Sequence, residues 1–237
     1  EARSKCALVI TPYDHAYLEG NKAISFPQGG LKEVWPHFFL DWCEAIREKR
    51  TPAFVSLGQT TYYAQYEQQW ITAPRLEDGP ETLNFYPGGE ALHSQRSSSE
   101  PWTYLYNPWN PASFKGGCCH NFGGQQPQDK PNSRYDIRSF LTEPFRQPVR
   151  LRGTGELRLL VASDCEDTCF YARLSHVQKD GICLCLRDDI VSLKRQHPDY
   201  RPGRKAEVIL RFTANAILLA EGEQLRLDLS SSCWPYF

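Results

Sequence analysis

Apolar and polar positions change rhythm after the first fifty residues. Cys6-Ala7-Leu8-Val9-Ile10 is an unbroken apolar run, as expected of a strand buried on both faces of a parallel sheet. It stops at Thr11-Pro12, because proline has no amide for a central ladder, and this sets His15 just beyond the strand end. After Gln28-Gly29-Gly30, the pattern predicts a helix from about Leu31 to Lys49. Trp35, Phe38, Phe39, Trp42 and Ile46 recur on one helical face. Glu33, Asp41, Glu44 and Arg47 to Arg50 take the other side, with basic residues gathered at the end the helix dipole favours.

From Thr51-Pro52 onward the period is two. Short runs predict strands at 53–57, 82–86, 103–106, 137–141, 149–151, 157–163, 168–174, 182–186, 207–212 and 224–229. Alternation is cleanest where Leu157, Leu159 and Val161 flank Arg158, and where Val208, Leu210 and Phe212 flank Glu207 and Arg211. Clusters of Pro, Gly, Asn and Asp separate the runs. Residues 87–101 read as a polar surface loop and 107–134 as a long loop rich in Gly, Pro and Asn. Together these patterns predict a mostly β chain: a jelly-roll-like β-sandwich preceded by a terminal strand-loop-helix fragment. The boundary falls near residues 49–53, giving 1–51 as the fragment and 52–237 as the sandwich.

Charge and composition narrow the function classes. With 27 basic and 28 acidic residues, the chain has no global pull on nucleic acid or acidic membranes. No apolar run approaches the ~20 residues of a membrane span. Nine cysteines, an odd number partly lying inside strand-like runs, fit buried thiols in a reducing cytoplasm rather than a disulfide framework. Opening in mid-element without a Met reads as a piece cut from a longer polypeptide.

Several segments in register carry a resemblance. They are Tyr104-Leu105-Tyr106-Asn107-Pro108, Gly116-Gly117-Cys118-Cys119, Pro127-Gln128-Asp129-Lys130, Arg134-Tyr135-Asp136-Ile137 and Thr142-Glu143-Pro144-Phe145. Leu157 to Asp164, Asp167 to Leu174, Asp180-Gly181 and the closing Ser230 to Phe237 follow in the same order. This series resembles the C-terminal β-domain of α/β-hydrolases of the Xaa-Pro dipeptidyl-peptidase and cocaine-esterase kind. Thr11-Pro12-Tyr13-Asp14-His15 is similar to the segment that carries the catalytic histidine of that family, with Thr for Gly and Tyr for Trp.

The resemblance implies a sandwich attached to an α/β-hydrolase domain, of which residues 1–51 are the end. It also implies cleavage of an acyl ester or amide, Xaa-Pro peptides included, through an acyl-serine. His15 would be the general base, taking the serine proton and returning it to the leaving group. The chain order serine, acid, histidine of this fold puts the histidine last. No G-x-S-x-G elbow is present: Ser56, the one serine followed two places on by glycine, has Phe54 where the turn needs a small residue. The serine and acid are therefore expected on a missing N-terminal hydrolase portion, in the same polypeptide or a separate chain. The family's β-domain loop near the cleft corresponds to Gly116 to Phe122, making Cys119 and Phe122 expected substrate-binding wall residues.

No cofactor or metal is expected. Adjacent Cys118, Cys119 and His120 cannot readily converge on one tetrahedral ion. Cys165, Cys169, Cys183 and Cys185 read as core thiols before they read as a zinc set. Asp129, Asp136, Asp164 and Asp167 are expected to tie loops to backbone amides. Tyr62, Tyr63, Tyr66 and Trp70 suit packing more than sugar stacking. Expected partners are the missing hydrolase portion and a small acyl ester or peptide substrate, with self-association left open. The competing reading is a non-catalytic β-sandwich module for binding or structure.

Overall fold

The structure is a computed structural model, and it describes residues 4, 6–12, 30–76, 81–96, 100–117 and 123–236, with helix side chains described from Trp35 onward. In chain order the elements are β1 (Leu8–Ile10), α1 (Gly30–Glu48), β2 (Thr60–Ala64), β3 (Gln69–Ala73), β4 (Tyr86–Gly88), β5 (Ala91–His93) and β6 (Arg138–Thr142). There follow β7 (Val149–Val161), β8 (Cys169–Val177), β9 (Cys183–Ser192), the one-turn α2 (Leu193–Gln196), β10 (Ala206–Leu219) and β11 (Gln224–Ser230). The chain is mostly β, as its pattern predicts. Among the described residues no helix is long and apolar enough to cross a membrane.

Two compact units divide the chain. The first takes Glu1–Pro80 with Val149–Gly153 and Ala214–Leu219, and the second takes Glu81–Pro148, Thr154–Thr213 and Ala220–Phe237. In the first, a three-stranded sheet runs β1-β2-β3. β1 is parallel to β2, with Leu8 opposite Thr60 and Ile10 opposite Tyr62. The strand expected as a terminal fragment is thus tied to chain that follows the helix. β2 and β3 form an antiparallel pair over a small core of Tyr62, Ala64 and Ala216, with Ile10 and Ile71 against it.

Helix α1 forms where its periodicity predicts, but it seats a different stripe. Ala45 is buried, and Phe38 and Trp42 are half-buried, whereas Trp35, Phe39 and Ile46 are 54%, 60% and 66% exposed. These three, spaced by four and seven, lie on one side of the helix. Asp41 fixes the exit of the chain by accepting from Ala53 N at 2.7 Å and from Arg50 Nη1 at 2.8 Å. The inward face is therefore partly polar, and much of the apolar face is bare.

In the second unit a six-stranded sheet has the order β4-β5-β6-β11-β8-β9. On one face, Phe140, Ala172 and Leu227 pack against Val208, Leu210 and Phe212 of β10 and Leu157, Leu159 and Val161 of β7. β7 and β10 pair with each other, so this core lies between two sheets, as in a sandwich. The alternation read from the sequence at 157–161 and 207–212 accounts for it. The opposite face is covered by irregular chain: Ala112, Phe114, Ile137 and Cys233 pack on Tyr171, with Ile190 alongside.

Several local expectations are corrected. Residues 53–57 and 103–106 are not strands, although each has a strand-like composition. The strand expected at 82–86 begins only at Tyr86, and the segment expected as a loop contains the β4–β5 hairpin, Tyr86 opposite His93. Residues 149–151 and 157–163 belong to one thirteen-residue strand, β7. Gly153 and Gly155 suggest a break there, but a Cβ at Gly155 would lie 3.1 Å from the Phe212 ring. That glycine marks close approach of a neighbour inside a strand rather than a turn.

Candidate functional site

His15, the expected general base, lies outside the described residues, as do Cys119 and Phe122. What the structure describes is the framework on either side of them. β1 ends at Ile10, and Thr11 and Pro12 are half-buried. Around the Gly-rich loop, Gly117 and Gly124 form an antiparallel bridge, Gly117 N donating to Gly124 O at 3.0 Å and Gly124 N to Gly117 O at 2.9 Å. Both glycines have φ of 75°, a left-handed conformation that a Cβ would strain.

This stem is seated on β9. Gln128 N donates to Cys183 O at 2.8 Å and Cys185 N to Gln126 O at 3.1 Å. Gln128 also reaches back across the stem, its Nε2 donating to Lys115 O at 2.6 Å. Gly117 lies so close to Asp188 that a Cβ would collide with the carboxylate. Only glycine fits there.

Asp188 is the outer end of a polar row crossing four strands. The register places Ser139 of β6 opposite Asp228 of β11, Asp228 opposite Arg173 of β8, and Arg173 opposite Asp188 of β9. Ser139 Oγ donates to Asp228 Oδ1 at 2.6 Å, and Arg173 Nη2 donates to Asp228 Oδ2 at 2.7 Å. Arg226 adds a second cation, its Nε 2.8 Å from Asp228 Oδ1 and its Nη1 2.7 Å from Asp129 O. Arg173 also donates to Gln128 Oε1 and lies 4.1 Å from the Phe114 ring centroid, a cation–π contact. Tyr171 OH donates to Asp188 Oδ2 at 3.1 Å.

Burial and the paired charges compete in the electrostatics of this row. Burial would raise the Asp228 carboxyl, but bonds from Arg226 and the charge of Arg173 outweigh it and hold the group below its ordinary value. Burial drives the Tyr171 phenol far upward, with Asp188 adding to the effect, so the hydroxyl stays a donor. Burial also pushes the Cys183 thiol up, which disfavours the reactive thiolate. The row can position a loop. It offers no activated nucleophile.

The remaining readings sort by geometry. Cys183 and Cys185 are buried in β9 and Cys165 is exposed, and none of the seven described cysteines is in a disulfide. Among the described residues no group of three or more His, Cys, Asp or Glu could hold a metal ion. Asp167 does tie backbone amides, accepting from Thr168 N at 2.9 Å and Lys194 N at 2.8 Å. Asp136 instead clasps a guanidinium, with Arg134 Nε at 2.7 Å and Nη2 at 2.8 Å, because the motif places that arginine two residues before it. Tyr62 and Tyr63 are buried, and Trp70 packs edge-on to Tyr63, Phe54 and Phe38 at 5.4, 5.3 and 5.9 Å. That is packing, not a sugar platform. The buried row was missed because Arg226 and Asp228 alternate with Leu225, Leu227 and Leu229, a pattern that ordinarily marks a solvent-facing side.

Comparison with known proteins places the whole chain in context. A family model described as the X-Pro dipeptidyl-peptidase C-terminal non-catalytic domain matches residues 53–237. Cocaine esterase of Rhodococcus sp. (strain MB1 Bresler) is 31% identical over 257 aligned positions that take in 97% of this chain and 44% of the esterase. An aminopeptidase from the marine sediment archaeon Thaumarchaeota archaeon has the same fold with a TM-score of 0.79 at 15% identity, covering 99% of this chain and 43% of its own. An alpha-amino acid ester hydrolase gives a TM-score of 0.72 at 14% identity, with coverage of 97% and 43%. The chain spans less than half the length of each of these three proteins.

Proposed function

The chain belongs to the family of X-Pro dipeptidyl-peptidase C-terminal non-catalytic domains, and from that premise we propose that it is the C-terminal part of a longer serine hydrolase. In this reading residues 1–51 are the end of the catalytic domain, and 52–237 are a jelly-roll-like domain carried behind it. The nucleophilic serine and its acid lie on the N-terminal portion, and His15 supplies the imidazole. The observation that carries the proposal is coverage: nearly all of this chain aligns with less than half of a 31% identical esterase. The family match beginning at residue 53 supports the division. The bare apolar stripe of α1 supports it too, since Trp35, Phe39 and Ile46 are all more than half exposed on one side of the helix.

The reaction is acyl transfer. The serine attacks an ester or amide carbonyl, His15 accepts its proton, and the imidazolium protonates the leaving group. Water then attacks the acyl-enzyme carbonyl as His15 takes its proton, the bond to the serine oxygen breaks, and the imidazolium returns the proton to that oxygen. An acyl ester has the most direct support, because the 31% identical relative is an esterase. An Xaa-Pro peptide is the amide counterpart offered by the family. The cysteine content favours a reducing cytoplasm.

Fluorophosphonate labelling of the complete protein tests this reading. The expected label sits on a serine before residue 1, and His15→Ala lowers turnover by about 10⁴-fold or more. This chain by itself takes no label and has no esterase activity. Equal labelling and turnover with and without His15 would remove it from the mechanism.

A further inference from the structure

Within the second unit, the outer edge of β10 is closed by side chains rather than by a strand. Among the described residues β10 shares its sheet with β7 alone, and an isolated bridge to Gln65 comes only further on, at Ile217. Peptide groups of alternate residues face the same side of a strand, so Glu207, Ile209 and Arg211 present theirs together. Gln196, at the end of α2, meets Ile209 as a neighbouring strand would. Ile209 N donates to its Oε1 at 2.9 Å, and its Nε2 donates to Ile209 O at 2.7 Å. His197 Nε2 donates to Glu207 O at 2.6 Å, and Arg211 N donates to Asp189 Oδ2 at 2.6 Å. The plug is itself pinned: Leu193 of α2 is fully buried in the core, and Lys194 N donates to Asp167 Oδ1 at 2.8 Å.

We propose that this edge is a docking surface for β10 of a second copy of the chain, which Gln196, His197 and Asp189 hold shut. The occupant follows from the residues along the edge. Two antiparallel copies related by a two-fold axis at Ile209 set isoleucine against isoleucine and, twice over, Glu207 against Arg211. Opposite charges directly across an antiparallel pair stabilise it, whereas like charges do the reverse. In that register Ile209 N and O bond to their counterparts in the other copy, and Arg211 N bonds to Glu207 O. These four backbone groups are the ones the three side chains occupy. Glu207 and Arg211 are exposed, and Arg158 and Glu156 meet them at only 3.5 and 3.6 Å, where surface ion pairs hold weakly. So self-matched an edge invites association. A plug carried on the same chain keeps copies apart, because an intramolecular partner outcompetes a separate molecule.

A thiol crosslink at position 209 of the complete protein, identified from the crosslinked peptide by mass spectrometry, tests the assignment. Ile209→Cys alone is expected to give little dimer joined at that position. Adding Gln196→Ala is expected to raise the yield about tenfold, the worth of the two backbone bonds it frees, and to make it grow with protein concentration. Glu207→Arg in that background places like charges across the axis and should return the yield to its starting level. Combining Glu207→Arg with Arg211→Glu should bring the dimer back. If Gln196→Ala does not fold, Gln196→Glu keeps the acceptor for Ile209 N, loses the donor to Ile209 O and carries the same test. Equal crosslinking with and without the plug overturns the proposal. So does a dimer whose yield ignores the charge at position 207, for then Gln196 does no more than cap the strand. Crosslinking to a different protein but not between copies overturns it too, by giving the edge another occupant.

Discussion

The two units solve the problem of burial differently. In the second, the six-stranded sheet is covered on both faces, and even its charged row is sealed: Arg173 and Arg226 are 2% and 3% exposed, and Asp228 is fully buried. In the first, a three-stranded sheet and one helix bury a small core while Trp35, Phe39 and Ile46 stay mostly in water. Size alone does not explain the contrast, because the helix turns a partly polar stripe inward and leaves a more apolar one outside. The difference teaches that the second unit covers both faces of its sheet, whereas the first leaves the apolar stripe of its helix bare.

The most severe way to break the comparison is to unbalance the sealed row. Asp228→Ala leaves Arg173 and Arg226 buried without their shared carboxylate, and about 3–5 kcal/mol of stability is expected to go. Urea unfolding would show it as a shifted midpoint or as a chain that no longer folds. Replacing all three residues with apolar ones of similar volume should restore most of the loss, since a buried ion cluster gains little over good packing. An Asp228→Ala chain as stable as the parent would mean the row is wet, and the contrast between the units would collapse.

Acid provides a milder probe of the same unit. His176 is fully buried, its Nε2 2.7 Å from Glu223 Oε2, and burial lowers its pKa although Glu223 opposes the shift. As pH falls, the unfolded chain therefore takes up this proton first. Stability contributed by the neutral imidazole is present above about pH 6.5 and declines below it. The decline cannot exceed about 1.4 kcal/mol per pH unit for one proton. Asp228, held below its ordinary value, adds a separate loss only as pH falls through the carboxylate range. Denaturation midpoints measured from pH 7 to 5 should drop in the parent and stay level in His176→Gln. A level parent profile would show that His176 titrates alike in both states.

How much of this was legible depends on which force set each element. β10 and the later half of β7 could be read directly, because Val208, Leu210 and Phe212 face a core while Glu207 and Arg211 face water. Helix α1 was legible in extent but not in orientation. Its seated side carries Phe38, whose ring packs 3.8 Å from Phe54 and 5.9 Å from Trp70 of β3, a contact between elements that the helical period alone does not specify. β2 and β3 were hidden in an aromatic cluster, where Tyr62, Tyr63 and Trp70 gave residue type without a clear period. The polar row was least legible. Arg226 and Asp228 look solvent-facing until the irregular segments around Phe114 and Gln128 are laid over them, and no local pattern announces that cover. Of the expected site, family motifs supplied His15, Cys119 and Phe122, while the described framework adds what periodicity could not: the Gly117–Gly124 stem and the carboxylate it rests against.

The smallest expected effect sharpens the comparison most. Phe39 is 60% exposed on α1, between Trp35 and Ile46 on the same stripe. In this chain Phe39→Ser should change stability by no more than about 0.5 kcal/mol, as substitutions of unpacked surface side chains do, and should reduce binding of an apolar dye. The same substitution in the complete protein is expected to lower its melting temperature, because there the phenyl ring would be removed from a buried contact and a hydroxyl left in its place. A variant silent in both settings would mean the stripe faces water in the parent too. The unequal burial of the two units would then be a property of the first unit itself, and the case for a covering hydrolase layer would have to rest on the sequence relatives alone.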